Sequence, residues 1–174
     1  MGPEHPATAE SLNNLAEWHR RTAAYRQAEP LFQRALAIQE KVLGPEHPAT
    51  ANTLNNLAEL YRRTGSHPQA ELLFQRALAI RENILGLEHL ATAESLNGLA
   101  ELYRVTGAYA QSEQLFQRAL MIREKVLRPE HLDIADSLTG LAELYRATGA
   151  PAQAEPLLQR ALAIRKNTLS GSFR

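Results

Sequence analysis

The 174-residue sequence has no cysteine, a single tryptophan, zero net charge and no apolar run near the ~20 residues that cross a bilayer. Without cysteine there is neither a disulfide framework nor a thiolate metal site, and no oxidising compartment is marked, so the cytoplasm is the default. Nineteen basic residues against nineteen acidic ones remove the global attraction that holds a protein to nucleic acid or to an anionic membrane, and neither is expected as a partner. Met1 to Thr8 carry Pro, Glu and His where a secretory leader would be basic and then apolar. There is no glycine-rich phosphate loop and no local triad signature; no catalysis, cofactor or metal is expected.

What the chain does contain is a 42-residue unit written four times without a gap, over 2–43, 44–85, 86–127 and 128–169, with a tail at 170–174. Eighteen of the 42 columns hold one residue type in all four copies. Such a period predicts a stack of equal layers, with 1–174 forming a single array.

Each unit reads as two helices. In the second copy Leu54, Leu57, Ala58 and Tyr61 form one apolar stripe at helical spacing, helix A, which opens at His47-Pro48 and closes at Thr64-Gly65. Glycine just past a helix end takes the left-handed conformation cheaply; Gly107 and Gly149 repeat it, whereas the first copy has Ala23 and should form the poorest turn. Helix B starts near Pro68 and places Ala70, Leu73, Phe74, Ala77, Ile80, Ile84 and Leu85 on one face for about five turns. Pro30 and Pro156 fall inside helix B of their copies, where each deletes a backbone hydrogen bond and predicts a slight bend. A joint of two or three residues makes the helices antiparallel neighbours, and the columns of Ala16 and Ala35 let them approach closely.

Leu54, Leu57-Ala58, Tyr61, Ala70, Phe74 and Ala77 keep every offset of the tetratricopeptide repeat, and the chain resembles that family over its whole length. Departures are mild: His19 stands for the Tyr, Ser112 for the second Ala and Leu158 for the Phe. The usual unit has ~34 residues, so the extra residues lengthen helix B and its exit loop. The long unit, with Leu-Gly-Pro-Glu-His-Pro before helix A and Leu-Asn-Asn-Leu-Ala within it, is similar to the repeats of kinesin light chains and of many bacterial signalling proteins. The resemblance implies an all-α, right-handed superhelical solenoid of four helix-turn-helix repeats that binds a protein or peptide segment in a concave groove lined by helix A.

By that resemblance the peptide-binding residues are Asn13, Asn14, Arg20, Arg21, Asn52, Asn55, Asn56, Arg62, Arg63, Asn97 and Arg104. An amide offers donors and an acceptor to an extended backbone, and a guanidinium presents a fork to carboxylates, so an acidic peptide is the partner suggested. Six of these residues have a plainer reading. Asn13, Asn55 and Asn97 would bond neighbouring helices; Arg20, Arg62 and Arg104 each follow a glutamate by three residues and would pair with it, for roughly 0.2–0.5 kcal/mol. A chaperone-type carboxylate clamp does not fit, because the third helix A offers Glu94 and Gly98 where basic residues are wanted.

His5, His47, His89 and His131 share one column, but packed helices stand ~8–10 Å apart, too far for four nitrogens to converge at ~2 Å on one metal, so these residues are read as caps at the mouth of helix A. Trp18 replaces the leucine of Leu60, Leu102 and Leu144 and is read as shielding an end layer. No polar capping helix follows Leu169, which leaves a second reading of the whole: a structural stretch of a longer array that self-associates end to end through uncapped faces. The last two copies, with Val105, Thr139, Gly140 and Ala147 in the variable columns, would mainly support the first two.

Overall fold

The computed structural model describes residues 4–171, with side chains described for 4–168; the first two positions of the first copy, Gly2 and Pro3, and the end of the tail lie outside the described residues. Eight α-helices and no strand occur among the described residues: α1 (Pro6–Arg21), α2 (Tyr25–Val42), α3 (Pro48–Thr64), α4 (His67–Leu85), α5 (Leu90–Thr106), α6 (Tyr109–Val126), α7 (Leu132–Ala147) and α8 (Pro151–Gly171). They fall into two compact units, Met1–Gly86 and Leu87–Arg174. In unit 1, α1 packs on α2, α2 on α3 and α3 on α4, and α1 touches α3; in unit 2 the same pattern joins α5 to α8.

Local chemistry sets the helix bounds. Each helix A starts on a histidine in extended backbone whose Nδ1 accepts from the N–H two residues on: His5, His47 and His89 at 3.1 Å, His131 at 3.2 Å. The imidazole thus satisfies one of the donors that a helix N-terminus leaves without an internal partner. The histidine column therefore consists of caps. At the other end Gly65 and Gly107 take φ of 83° and 84°, and Ser66 N–H and Ala108 N–H reach back to the carbonyls of Tyr61 and Tyr103 at 2.9 and 2.8 Å. The first copy makes the same turn with Ala23 at φ 59°, the one non-glycine residue with positive φ among the described residues. The poorer turn expected there does not show in its closing hydrogen bond, Ala24 N–H to the His19 carbonyl at 2.8 Å, but only in the left-handed backbone of Ala23. The joint before α4 is only Gly65 and Ser66.

The core repeats by layers. In unit 1 Ala16, Ala28, Phe32, Leu57 and Leu60 form one cluster, and Ala51, Leu54, Ala77 and Ile80 another. In unit 2 Ala100, Phe116, Leu141 and Leu144 correspond to the first. All eight alanines of the two small columns, from Ala16 to Ala142 and from Ala35 to Ala161, are fully or almost fully buried. The helices α2 and α8 run on through Pro30 and Pro156.

One element of the helix B reading is corrected. Ile84 is exposed at 55%, as are Val42 and Val126 in its column at 47% and 50%. These residues lie on the apolar arc but in the last turn of helix B, where the period outlasts the surface against which it could pack. One turn earlier, the position after Ile80 is Arg81, and it is buried.

Candidate functional site

On helix A of unit 1, glutamate and arginine form matched forks. Arg20 donates from Nε and Nη2 to the two oxygens of Glu17 at 2.7 Å each, and Arg62 does the same to Glu59 at 2.8 and 2.7 Å. Arg20 also lies 3.7 Å from Glu59 of the next copy. Burial works to raise the pKa of Glu17 and Glu59, but the hydrogen bonds and charges of Arg20 and Arg21, and of Arg62 and Arg63, outweigh it and hold both carboxyls below the ordinary glutamate range. In unit 2 Arg104 donates to Glu101 at 3.1 and 2.8 Å and reaches Glu143 at 3.3 Å.

Arg21 and Arg63 differ from their neighbours. Each donates Nε to the same glutamate at 2.7 Å, while the side chain stays 74% and 45% exposed. Their terminal nitrogens make no hydrogen bond among the described residues, and unit 2 has Val105 and Ala147 in this column.

The asparagines divide between two tasks. Asn13 Oδ1 accepts from Thr53 Oγ1 at 3.2 Å and Asn56 Nδ2 at 3.3 Å, tying α1 to α3, and Asn97 Oδ1 accepts from Ser137 Oγ at 3.2 Å, tying α5 to α7. Asn52 Oδ1 accepts from Arg81 Nη2 at 2.9 Å, and Asn55 is buried. Asn14 is exposed and makes no hydrogen bond among the described residues. The face where these residues meet holds a recess of about 380 Å³ in unit 1, lined by Glu10, Asn13, Asn14 and Gln39 from α1 and α2 and by Asn52 and Thr53 from α3.

Sequence reading missed the column of Gln39, Arg81, Arg123 and Arg165 on helix B. Arg81 and Arg123 are buried, and Arg123 Nη1 donates to Ser137 Oγ at 2.7 Å, to the Asp133 carbonyl at 2.8 Å and to Asn97 Oδ1 at 3.5 Å. Burial lowers the Arg123 pKa, opposed by the charges of Asp133, Asp136 and Glu94. Arg165 donates to Asp136 at 3.0 Å and to Thr139 at 3.1 Å. The signal was present: these arginines directly follow Ile80, Ile122 and Ile164, so the buried arc itself carries a charge that must find partners.

Trp18 is exposed, with its ring edge-on to His19 at 4.9 Å, whereas Leu60, Leu102 and Leu144 in its column are buried. Among the described residues no three His, Asp or Glu side chains are grouped to hold a metal ion, and no helix is long and apolar enough to cross a membrane.

Helix pairs closed by left-handed turns, small alanines at every crossing and a polar face on the first helix of each pair define a helix-hairpin repeat protein. The family model of the tetratricopeptide repeat matches residues 8–83, 73–125 and 91–167, and the chain belongs to the tetratricopeptide-repeat family. Its repeats are of the kinesin-light-chain-like kind. The nearly identical TPR-like repeats of a protein assigned as a kinesin light chain from Podosopora anserina are 30% identical, with a TM-score of 0.73 over 97% of this chain and 80% of that one. A single-substitution form of those repeats is also 30% identical, with a TM-score of 0.77 over 98% of this chain and 80% of that one. The fold is also that of BtubC (BKLC) from P. vanneervenii, at 24% identity and a TM-score of 0.82 over 94% of this chain; the match spans 66% of that protein's length. No curated protein sequence matches significantly.

Proposed function

We propose that the four repeats act as one non-enzymatic scaffold in the cytoplasm, binding an extended segment of a protein partner on the helix A face, chiefly in unit 1. Repeats of this family generally bind protein partners, and unit 1 keeps several unspent polar groups on this face. The observation that carries the reading is the pair Arg21 and Arg63: each spends Nε on a glutamate, stays partly exposed and makes no hydrogen bond from its terminal nitrogens among the described residues. Asn14, two turns before Arg21 on α1, adds a free amide for the backbone of the segment. Arg20, Arg62 and Arg104 are occupied by their glutamates and serve to hold the face rigid, with Asn97 and Arg104 continuing the pattern in unit 2. Acidic side chains on the partner suit Arg21 and Arg63, since a guanidinium pairs bidentately with a carboxylate.

The test is co-precipitation from the source cell with wild type and with a triple variant, Asn14→Ala, Arg21→Ala, Arg63→Ala. The variant should fold as wild type by circular dichroism and lose the partner. Retention of every partner by the folded variant would refute the groove reading. A second reading, end-to-end self-association, is favoured by α8, where Leu162 is exposed at 52% beside Pro151 and Leu158. It predicts a dimer in sedimentation that Leu162→Glu dissolves.

A further inference from the structure

The recess in unit 1 coincides with the place where unit 2 holds a guanidinium. Arg123 lies among Asn97, Asp133 and Ser137, and a shift of two repeats turns these four residues into Gln39, Asn13, Ala49 and Thr53. All four of the latter line the recess. The carboxylates that bias Arg123 include Glu94, whose counterpart Glu10 also lines the recess and is exposed, with no ion pair among the described residues. Gln39 is too short to span the gap that arginine spans. Its residue is 5% exposed, and its Oε1 is buried without a hydrogen-bond partner.

An unpaired buried amide oxygen costs roughly 1–3 kcal/mol, which a donor brought from outside would recover. The volume, about 380 Å³, is at the small end of the ~300–1,000 Å³ spanned by ligand pockets, and suits one long side chain rather than a cofactor. The acceptors open to a donor there are the Glu10 carboxylate, the Gln39 oxygen, and the Thr53 oxygen in the place where Ser137 accepts from Arg123. A planar fork of donors fits such a ring better than the compact, strongly hydrated ammonium of lysine.

We infer that this recess receives the guanidinium of an arginine side chain contributed by the bound partner, which completes in the first repeat the arginine column that the other three repeats complete for themselves. The inference rests on the partner-binding reading of the helix A face and adds to it a residue-specific anchor. The recess lies toward the start of α1, whereas Arg21 closes the same helix eleven residues after Glu10, about 16 Å away at 1.5 Å per residue. A segment carrying an arginine and, some five residues along at ~3.3 Å each, a carboxylate would reach both.

The probe is N-acetyl-arginine amide, titrated into the full chain labelled with nitrogen-15. Saturable shifts should be confined to α1, α2 and α3, including the side-chain amides of Asn13, Asn14, Gln39 and Asn52. N-acetyl-lysine amide and N-acetyl-citrulline amide should bind at least about fivefold more weakly, since one lacks the fork and the other the charge. Q39R supplies the guanidinium from within and should abolish the saturable shifts while raising the melting temperature. Should Q39R fail to fold, E10Q is the companion, with an expected loss of about tenfold from removal of the counter-charge, 1.4 kcal/mol at 25 °C. Absence of saturation, equal shifts in folded Q39R, or binding unchanged by E10Q would overturn the inference. A partner that still binds through Arg21 and Arg63 while arginine amide does not would sink the anchor alone; the reverse would sink the Arg21 and Arg63 contacts and leave the anchor standing.

Discussion

Ala23→Gly should stabilise the protein, and Gly65→Ala, in the same column, should destabilise it by a similar amount. Gly65, Gly107 and Gly149 close helix A of their repeats at φ of 83°, 84° and 76°, and Ala23 does so at 59°. A left-handed conformation costs a residue with a Cβ roughly 1–2 kcal/mol. Glycine gives back part of this, because its unfolded chain is freer by about 0.4–1 kcal/mol, so the net gain for Ala23→Gly is about 0.5–1 kcal/mol. A Cβ built on Gly65 meets nothing within 4 Å, so Gly65→Ala isolates the backbone term from packing. For a chain of this length 1 kcal/mol moves the melting temperature by about 2–4 °C, and with a urea slope near 2 kcal/mol per molar the midpoint shifts by roughly 0.2–0.5 M. Repeats unfold partly on their own, so the urea melts should be paired with amide exchange, and the change should be largest in α1 and α2 for Ala23→Gly. A lowered midpoint in Ala23→Gly, or a neutral Gly65→Ala, would refute the argument that backbone conformation decides this column.

Three further outcomes are expected. Gly140→Ala should cost about 1–3 kcal/mol in urea melts through overpacking, because its Cβ would stand 2.5 Å from Phe116 Cε1 and 3.0 Å from Glu101 Oε1. His131→Ala should cost about 0.5–2 kcal/mol by removing the N-cap of α7, with the loss concentrated in unit 2 by amide exchange. Glu17 and Glu59 titrate lower in the folded chain than in the unfolded one, so their contribution is present above the ordinary glutamate value near ~4.3 and is lost as pH falls through the lowered folded values. Glu59→Gln should flatten that acid limb and cost roughly 1–3 kcal/mol at neutral pH; an unchanged slope below pH ~4 would count against the Arg62 and Arg63 pairing as its source.

Much of the fold was legible in the sequence because its signals are local. A His-Pro pair opens α3 and a glycine closes it within the residues named from sequence, since cap and turn depend only on the chain's own neighbours. The exposure of Ile84 was not legible: its periodicity is right, and only the extent of the opposing helix decides whether there is anything to bury it. The burial of Arg81 and Arg123 was hidden for a related reason, because the partners that make it tolerable lie in other helices, α3 for Arg81 and α7 of the next repeat for Arg123. Among the site residues, the asparagine column was visible as a pattern, but its two tasks separate only when Thr53 and Ser137 are seen to stand opposite Asn13 and Asn97.

Each repeat is an internal control for the others, and the variable columns are then of two kinds. Asn56 gives way to Gly140, a change that in sequence looks like the loss of a ligand-binding amide; the Phe116 ring fills the space where a Cβ would go, so any side chain there would have to displace the ring. Arginine gives way to Gln39 with the opposite consequence. No side chain moves in to fill the space, the acceptors that would surround a guanidinium remain in place, and one of them is buried without a protein donor. A substitution compensated by its neighbours is a matter of stability. One that leaves both a cavity and an unsatisfied acceptor carries a standing free-energy deficit of roughly 1–3 kcal/mol, and the group able to remove that deficit is one that binds. The first repeat, more than its three copies, is therefore where a partner side chain gains most by docking.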